Sequence, residues 1–300
     1  MTDEATAFAP GHVTAFFAPY PDDSPARAGS RGAGLALADG VEVTVRRGDD
    51  AADETGSGAG GAAGDRDSDV VLDGVPAEME AVSLTLDALG VGTDTAPAEV
   101  EVTTDLPVGA GFGVSGAAAL ATALAANDLF DLQRSENGLV NAAHVAEVEA
   151  GTGLGDVVAQ FRGGLPIRLE PGAPTYGHFD GLPARPTVEY VTFGELSTAE
   201  VLDGDLDPVR EAGEAALTRL MRRPSVEELF AASREFAGDA GLLVPEVAEA
   251  VDAVEAEGGL ASMAMLGRTA FALGTGLSDA GYDAERCGTH PTGATVLDGR

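Results

Sequence analysis

The sequence predicts an α+β protein of two domains, on three observations. Segments that alternate apolar and polar residues are interspersed with segments whose apolar residues recur every three or four positions. The chain has 300 residues, 44% of them apolar, enough for one large core or two ordinary ones. A passage rich in Gly and Pro, Gly172 to Pro186, separates a strand-rich first part from a helix-rich second and divides the chain into 1–172 and 186–300.

Taken in order, Thr6 to Phe17 reads as a strand interrupted by a Pro10-Gly11 turn, with a loop running to Gly34. Leu35 to Arg47 reads as a β-hairpin, because Asp39-Gly40 is a strong turn signal and Val41, Val43 and Val45 alternate with polar residues. Residues 48–69 are almost all Gly, Ala, Asp and Ser and cannot bury enough surface to offset their ordering entropy, which predicts a flexible acidic insertion. Met79, Val82, Leu86 and Leu89 predict an amphipathic helix within 76–89. Val100 and Val102 mark a strand over 98–103, followed by a glycine-rich loop and an alanine-dense helix from about Ser115. A further helix over 138–149 places Val140, His144 and Glu147 on one face, and Gly151-Thr-Gly-Leu-Gly155 ends it. A strand follows near Ile167 and another near Val188, then three helices near 207–221, 225–238 and 245–257. The segment from Ser262 to Ala272 mixes small and apolar residues.

The net charge is −33, from 17 basic and 50 acidic residues, and every basic residue is arginine. Such a chain repels phosphate backbones and anionic lipid, so neither nucleic acid nor a membrane surface is an expected partner. Lysine is absent and the acids are spread along the chain, a pattern expected of a protein working in concentrated salt, where the Debye length falls to roughly 3 Å. Cys287 is the only cysteine, which excludes an intramolecular disulfide and a cysteine-based zinc site. The N-terminal segment is acidic and broken by Pro10-Gly11, unlike a signal peptide, and no apolar run approaches the ~20 residues needed to span a bilayer. A cytoplasmic location is expected.

Gly111-Phe-Gly-Val-Ser-Gly116 satisfies the dinucleotide pattern G-x-G-x-x-G. The dehydrogenase reading lacks its context, since Pro107 separates strand from loop and the helix is followed by another helix. A P-loop requires a lysine that this chain does not have. What remains is the physics the two share: closely spaced glycines let main-chain amides approach an anion, and a helix presents its positive end to it.

The segment from Pro107 to Ala118 resembles the ATP-binding motif of the GHMP kinases, with Val114-Ser115 and Gly116 standing where that motif has paired serines and an alanine. Ala9-Pro-Gly-His-Val-Thr-Ala-Phe-Phe17, Gly29 to Leu35, Gly151 to Asp156 and Ser262 to Gly267 together resemble an archaeal branch of that superfamily whose acceptor is pantoate. The resemblance implies a two-domain GHMP kinase fold, with an N-terminal β-α-β nucleotide domain like ribosomal protein S5 and a helix-rich C-terminal domain whose Ser262 to Ala272 segment closes over the cleft. It implies ATP and Mg²⁺ as cofactors and a homodimer.

The resemblance also assigns roles. Pro107, Gly109, Gly111, Gly113, Ser115 and Gly116 would cradle the nucleotide, and the Ser115 hydroxyl would reach the metal or the β- and γ-phosphates, with simple N-capping as the rival reading. Glu147 would ligate Mg²⁺, and Asp156 would accept the proton of the acceptor hydroxyl, against a rival role in helix capping. Arg168 would hold the acceptor carboxylate, with Ser30 and His144 completing its pocket. His12 is expected only to shape the N-terminal turn, and His178 and His290 to have no role. Asp203 to Pro208 mimics a calcium loop but puts Pro208 where a sharp turn demands Gly, so it is discounted. The rival functions are another GHMP small-molecule kinase, of homoserine or shikimate type, and a nucleotide-binding protein without turnover.

Overall fold

A computed structural model describes residues 3–48, 70–93, 96–195 and 204–299. Its frame is a pair of long antiparallel strands, β1 (Glu4–Tyr20) and β2 (Gly29–Arg47). The Asp39-Gly40 hairpin expected within Leu35 to Arg47 does not form: β2 runs through it, and both of its halves pair with β1, Val41 opposite Ala9 and Leu35 opposite Val13. Register slips between Pro10 and His12, so the turn signals at Pro10-Gly11 and Asp39-Gly40 face each other across one wide bulge. The backbone at and beside the bulge in β2 is also paired from elsewhere, with the Ala36 and Ala38 amides donating to the carbonyls of Gly164 and Gly288 at 2.8 Å each.

The sheet continues on the far side of β2 through β3 (Val70–Leu72), β4 (Val75–Pro76) and β5 (Ala98–Thr104), in the order β1-β2-β5-β3-β4. α1 (Glu80–Leu89) buries Val82, Leu86 and Leu89, as its periodicity predicts, and ends at Gly90 with φ 74°. α2 (Val114–Phe130) buries 13 of its 17 residues, as an alanine-rich helix that is apolar all round must. α3 (Glu136–Glu149) begins at Ser135, whose hydroxyl accepts from the Gly138 amide. α4 (Asp156–Arg162) follows after one glycine-rich turn.

β6 (Leu165–Glu170) pairs with β2, and β7 (His178–Leu182) pairs with β6. The passage 172–186, expected to separate two domains, thus carries a strand of the first sheet. A smaller antiparallel sheet is built from β8 (Val188–Thr192), β9 (Ala261–Ala264), β10 (Thr269–Leu273) and β11 (Glu285–Cys287). The last strand, β12 (Thr295–Asp298), returns to pair with β1, so the N-terminal sheet also draws on residues beyond 186.

Three helices cover the small sheet and the end of β1: α5 (Asp207–Arg222), α6 (Val226–Asp239) and α7 (Pro245–Ala256), with a short α8 (Gly276–Asp279) behind. The buried Ser233 hydroxyl on α6 lies 2.7 Å from both the Ala15 carbonyl of β1 and the Ser262 hydroxyl of β9, and Phe17 packs edge-on to Phe236. No helix among the described residues is long and apolar enough to cross a membrane. Residues 49–69 of the acidic insertion and Asp203 of the discounted calcium loop lie outside the described residues. Glu214, twelfth in the stretch that begins at Asp203, instead forms an ion pair with Arg31 at 2.9 Å.

Candidate active site

The glycine loop joins β5 to α2 and turns three times through left-handed backbone, at Gly109, Gly111 and Gly113. Two of these turns need glycine for identifiable reasons. At Gly111 (φ 92°) a Cβ would lie 3.1 Å from the backbone of Gly267, in the turn between β9 and β10. At Gly113 (φ 64°), which caps α2, it would lie 2.9 Å from Gln160 Nε2, whose amide donates to the Gly113 carbonyl at 2.8 Å. The β9–β10 turn lies directly on the loop: a Cβ at Gly267 would collide with the Ala110 carbonyl, and that oxygen accepts from Thr269 Oγ1 at 2.7 Å.

A cleft of about 300 Å³ opens at the mouth of α2. Its walls include Gly111, Gly113 and Ser115 on one side, Thr152 and Asp156 on another, and Leu266 of the β9–β10 turn. The first amides of α2 have no intrahelical acceptors, and no acid sits in its first turn, so its positive end opens toward this space. Ser115 is inside the helix rather than at its cap and makes no capping bond; its hydroxyl donates to Thr152 Oγ1 at 3.2 Å.

Asp156 is the first residue of α4 and makes no capping bond either. Its side chain is 19% exposed, toward the cleft, and Oδ1 lies 2.7 Å from His12 Nδ1 and 3.1 Å from Thr14 Oγ1. Burial would raise its pKa, but the hydrogen bond from His12, the charge of Arg168 and the bond from Thr14 outweigh burial and hold it below the usual value, so the carboxylate is ionised. His12, expected to serve only the N-terminal turn, thus also contacts the Asp156 carboxylate.

Glu147 sits one layer behind Ser115 and Thr152, 2% exposed. Thr152 Oγ1 donates to its Oε1 at 2.6 Å, and Gly116 and Gly153 leave room for the other oxygen, which a Cβ at Gly153 would strike. Burial pushes its pKa up to about 7, against the opposing influence of the neighbouring Ser115 and Thr152 hydroxyls. Glu149, two positions on, is exposed. Gly116 turns its α-carbon toward Glu147 and Gln160, and neither it nor Pro107 lines the cleft.

The three acceptor candidates lie together beside the Gly155 turn, buried rather than on the cleft wall. Ser30 Oγ and Arg168 Nη1 both donate to the Leu154 carbonyl, at 3.2 and 3.3 Å, and His144 Nε2 lies 2.9 Å from the Ala28 carbonyl. Burial lowers the pKa of His144, and it lowers that of Arg168 against the opposing charge of Asp156. Gly155 has φ 146° and no room for a side chain beside the Arg168 guanidinium. His178 is exposed on β7, and His290 packs on Phe8.

Sequence reasoning missed His12, Thr14, Thr152 and Gln160. His12 and Thr14 are two apart on one strand, hence on one face, and that alternation was a usable signal. Thr152 and Gln160 had none.

Fold and site together define a kinase acting on small molecules: a glycine-cradled helix mouth faces an ionised carboxylate across a cleft. Residues 79–164 match the family model of the GHMP kinases N terminal domain. The chain is 38% identical over 278 residues to the pantoate kinase of Thermococcus kodakarensis, covering 89% of this chain and 86% of that one. It is 31% identical to the pantoate kinase of Methanocaldococcus jannaschii, over 89% and 91% of the two chains. A solved structure described as a phosphotransferase related to the CoA biosynthesis pathway superposes with a TM-score of 0.81 at 29% identity, over 98% of each chain. The chain belongs to the pantoate kinase family of the GHMP kinases.

Proposed function

We propose that this enzyme transfers the γ-phosphoryl group of ATP to the primary hydroxyl of pantoate, giving 4-phosphopantoate and ADP on the archaeal route to coenzyme A. The observation that carries this acceptor is Arg168. In a chain with 50 acidic residues, this guanidinium is 5% exposed and has no carboxylate at ion-pair distance among the described residues. A buried arginine with no carboxylate in direct contact is costly, and the carboxylate of a small hydroxy acid would match its charge and planar geometry. The relatives named pantoate kinase support the same acid.

The residues fit both cofactors. The three left-handed glycines and the free amides at the start of α2 suit a polyphosphate. Glu147 and the Ser115 hydroxyl suit Mg²⁺, which takes one or two protein ligands and completes its shell with phosphate oxygens and water; among the described residues no group of three or more His, Cys, Asp or Glu would form an all-protein cage. The buried carboxylate of Glu147 makes no ion pair among the described residues, and its charge would suit such an ion. Bound Mg²⁺ would supply positive charge opposite the β- and γ-phosphate oxygens.

In the reaction, Ser30, His144 and Arg168 hold the acceptor, and the α2 amides and Ser115 hold the phosphates in line with it. Asp156 takes the hydroxyl proton as the oxygen bonds to the γ-phosphorus, and the bond from that phosphorus to the bridging oxygen breaks, its electrons leaving with ADP. The acid excess supports work in concentrated salt, and family resemblance supports a homodimer, testable by size-exclusion chromatography in molar salt. An ADP-coupled assay with a panel of alcohols tests the acceptor. Turnover on pantoate is expected; turnover on homoserine or shikimate but not on pantoate would overturn the proposal.

A further inference from the structure

Asp156 is held by one oxygen only. Oδ1 is met by His12 Nδ1 at 2.7 Å and by Thr14 Oγ1 at 3.1 Å, while no hydrogen bond from the described residues reaches Oδ2. We infer that His12 and Thr14 are positioning residues for the phosphoryl-transfer step: they fix Oδ1 and so leave Oδ2 as the atom that receives the acceptor's proton. This rests on the reading of Asp156 as the proton acceptor.

The direction of the bonds follows from the chemistry of the groups. An ionised carboxylate only accepts, so Nδ1 of His12 carries the proton, and the Thr14 hydroxyl, also donating, adds a second bond to the same oxygen. With two donors on Oδ1, rotation of the carboxylate would break both, and the plane of Asp156 is set.

A packing role does not explain the ring. The tie between β1 and the glycine loop is made by the His12 backbone, whose amide donates to the Phe112 carbonyl at 2.8 Å. The His12 side chain is 1% exposed, and its Nε2 has no partner among the described residues. A phenyl ring would fill that space without burying an unsatisfied nitrogen, so the imidazole contributes one thing a hydrocarbon cannot, the Nδ1–H aimed at Asp156. Gly34 belongs to the same arrangement, since a Cβ there would collide with Nε2 and displace the ring. Thr14 is fixed from its other side: its carbonyl accepts from the Met265 amide of the β9–β10 turn at 3.0 Å, which ties the Asp156 clamp to the turn that covers the glycine loop.

Two measurements on the full chain test this. Nitrogen NMR of the labelled histidines reads which His12 nitrogen is protonated whether or not pantoate is the acceptor. Protonation at Nδ1 is expected; a ring protonated at Nε2 alone would overturn the inference. The second is steady-state kinetics of His12→Asn and His12→Phe. Asn places an N–H near the position of Nδ1 and should keep kcat within about tenfold, whereas Phe should lower it roughly a hundredfold with KM for ATP and pantoate unchanged, the scale of a misplaced catalytic group. Equal losses in both variants, or full activity in the Phe variant, would refute a positioning role. If His12→Phe does not fold, Thr14→Val set against Thr14→Ser makes the same comparison. If the wild type does not phosphorylate pantoate, the acceptor assignment fails, and the NMR result still decides the role of His12.

Discussion

Replacing Glu147 by Gln should stabilise the protein while disabling it. Burial raises the Glu147 carboxyl from 4.5 to about 7, so ionising it in the folded state costs free energy that the unfolded chain does not pay. Between those two values the folded state binds more protons than the unfolded state, and its stability falls as pH rises, with no further loss above the folded pKa. A shift of roughly 2.5 units at about 1.4 kcal/mol each gives roughly 3 to 4 kcal/mol. Gln keeps the shape and can still accept from Thr152 Oγ1, but it cannot ionise. The difference in unfolding free energy between Glu147→Gln and wild type should therefore be small near pH 4.5 and should grow by roughly 3 to 4 kcal/mol in favour of the variant by pH 8. Urea titrations in molar salt, without Mg²⁺ or nucleotide, measure it, and comparing the two proteins cancels the other titrating acids. The stabilised variant should show little kinase activity with Mg²⁺ and ATP. A difference that is flat with pH, or one favouring wild type at pH 8, would refute the claim that an uncompensated carboxylate lies behind Ser115.

Three other outcomes are expected. Gly267→Ala should raise KM for ATP at least about tenfold and cost ~1–3 kcal/mol in a melt, because the added methyl meets the Ala110 carbonyl and lifts the β9–β10 turn off the glycine loop. Arg168→Gln should raise KM for pantoate roughly a hundredfold or more and leave KM for ATP unchanged, which initial-rate kinetics with each substrate varied will show. Lowering salt from about 2 M to 0.1 M should lower Tm, since 33 unbalanced negative charges are then less screened; scanning fluorimetry across a salt series reads it.

Much of the local structure was legible in the sequence, because it depends on short-range spacing. Val82, Leu86 and Leu89 report one face of α1, Val100 and Val102 one face of β5, and the glycines of residues 109–113 the approach to α2. What failed depended on partners far along the chain. Asp39-Gly40 is a hairpin signal only if the flanking segments pair with each other, and here both pair with β1, from which they are separated in sequence. The Gly172 to Pro186 passage reads as a border because Pro and Gly disfavour regular structure, yet β7 within it completes an edge offered by β6. The same limit applied at the site. Glu147 and Asp156 could be singled out from their motifs, but nothing near His12 reveals that its ring meets an acid 144 positions later.

The proposed role of Asp156, at the α2 mouth, is to activate an alcohol toward ATP. Phosphorus NMR of ATP, Mg²⁺ and pantoate with wild type and with Asp156→Asn, paired with calorimetry of ATP binding, tests it most directly. A phosphomonoester is expected to form one-for-one with ADP in the wild type and at least about a hundredfold more slowly in the variant, with ATP affinity unchanged between them. A variant that makes the monoester at the wild-type rate would contradict it, as would a wild type that makes none.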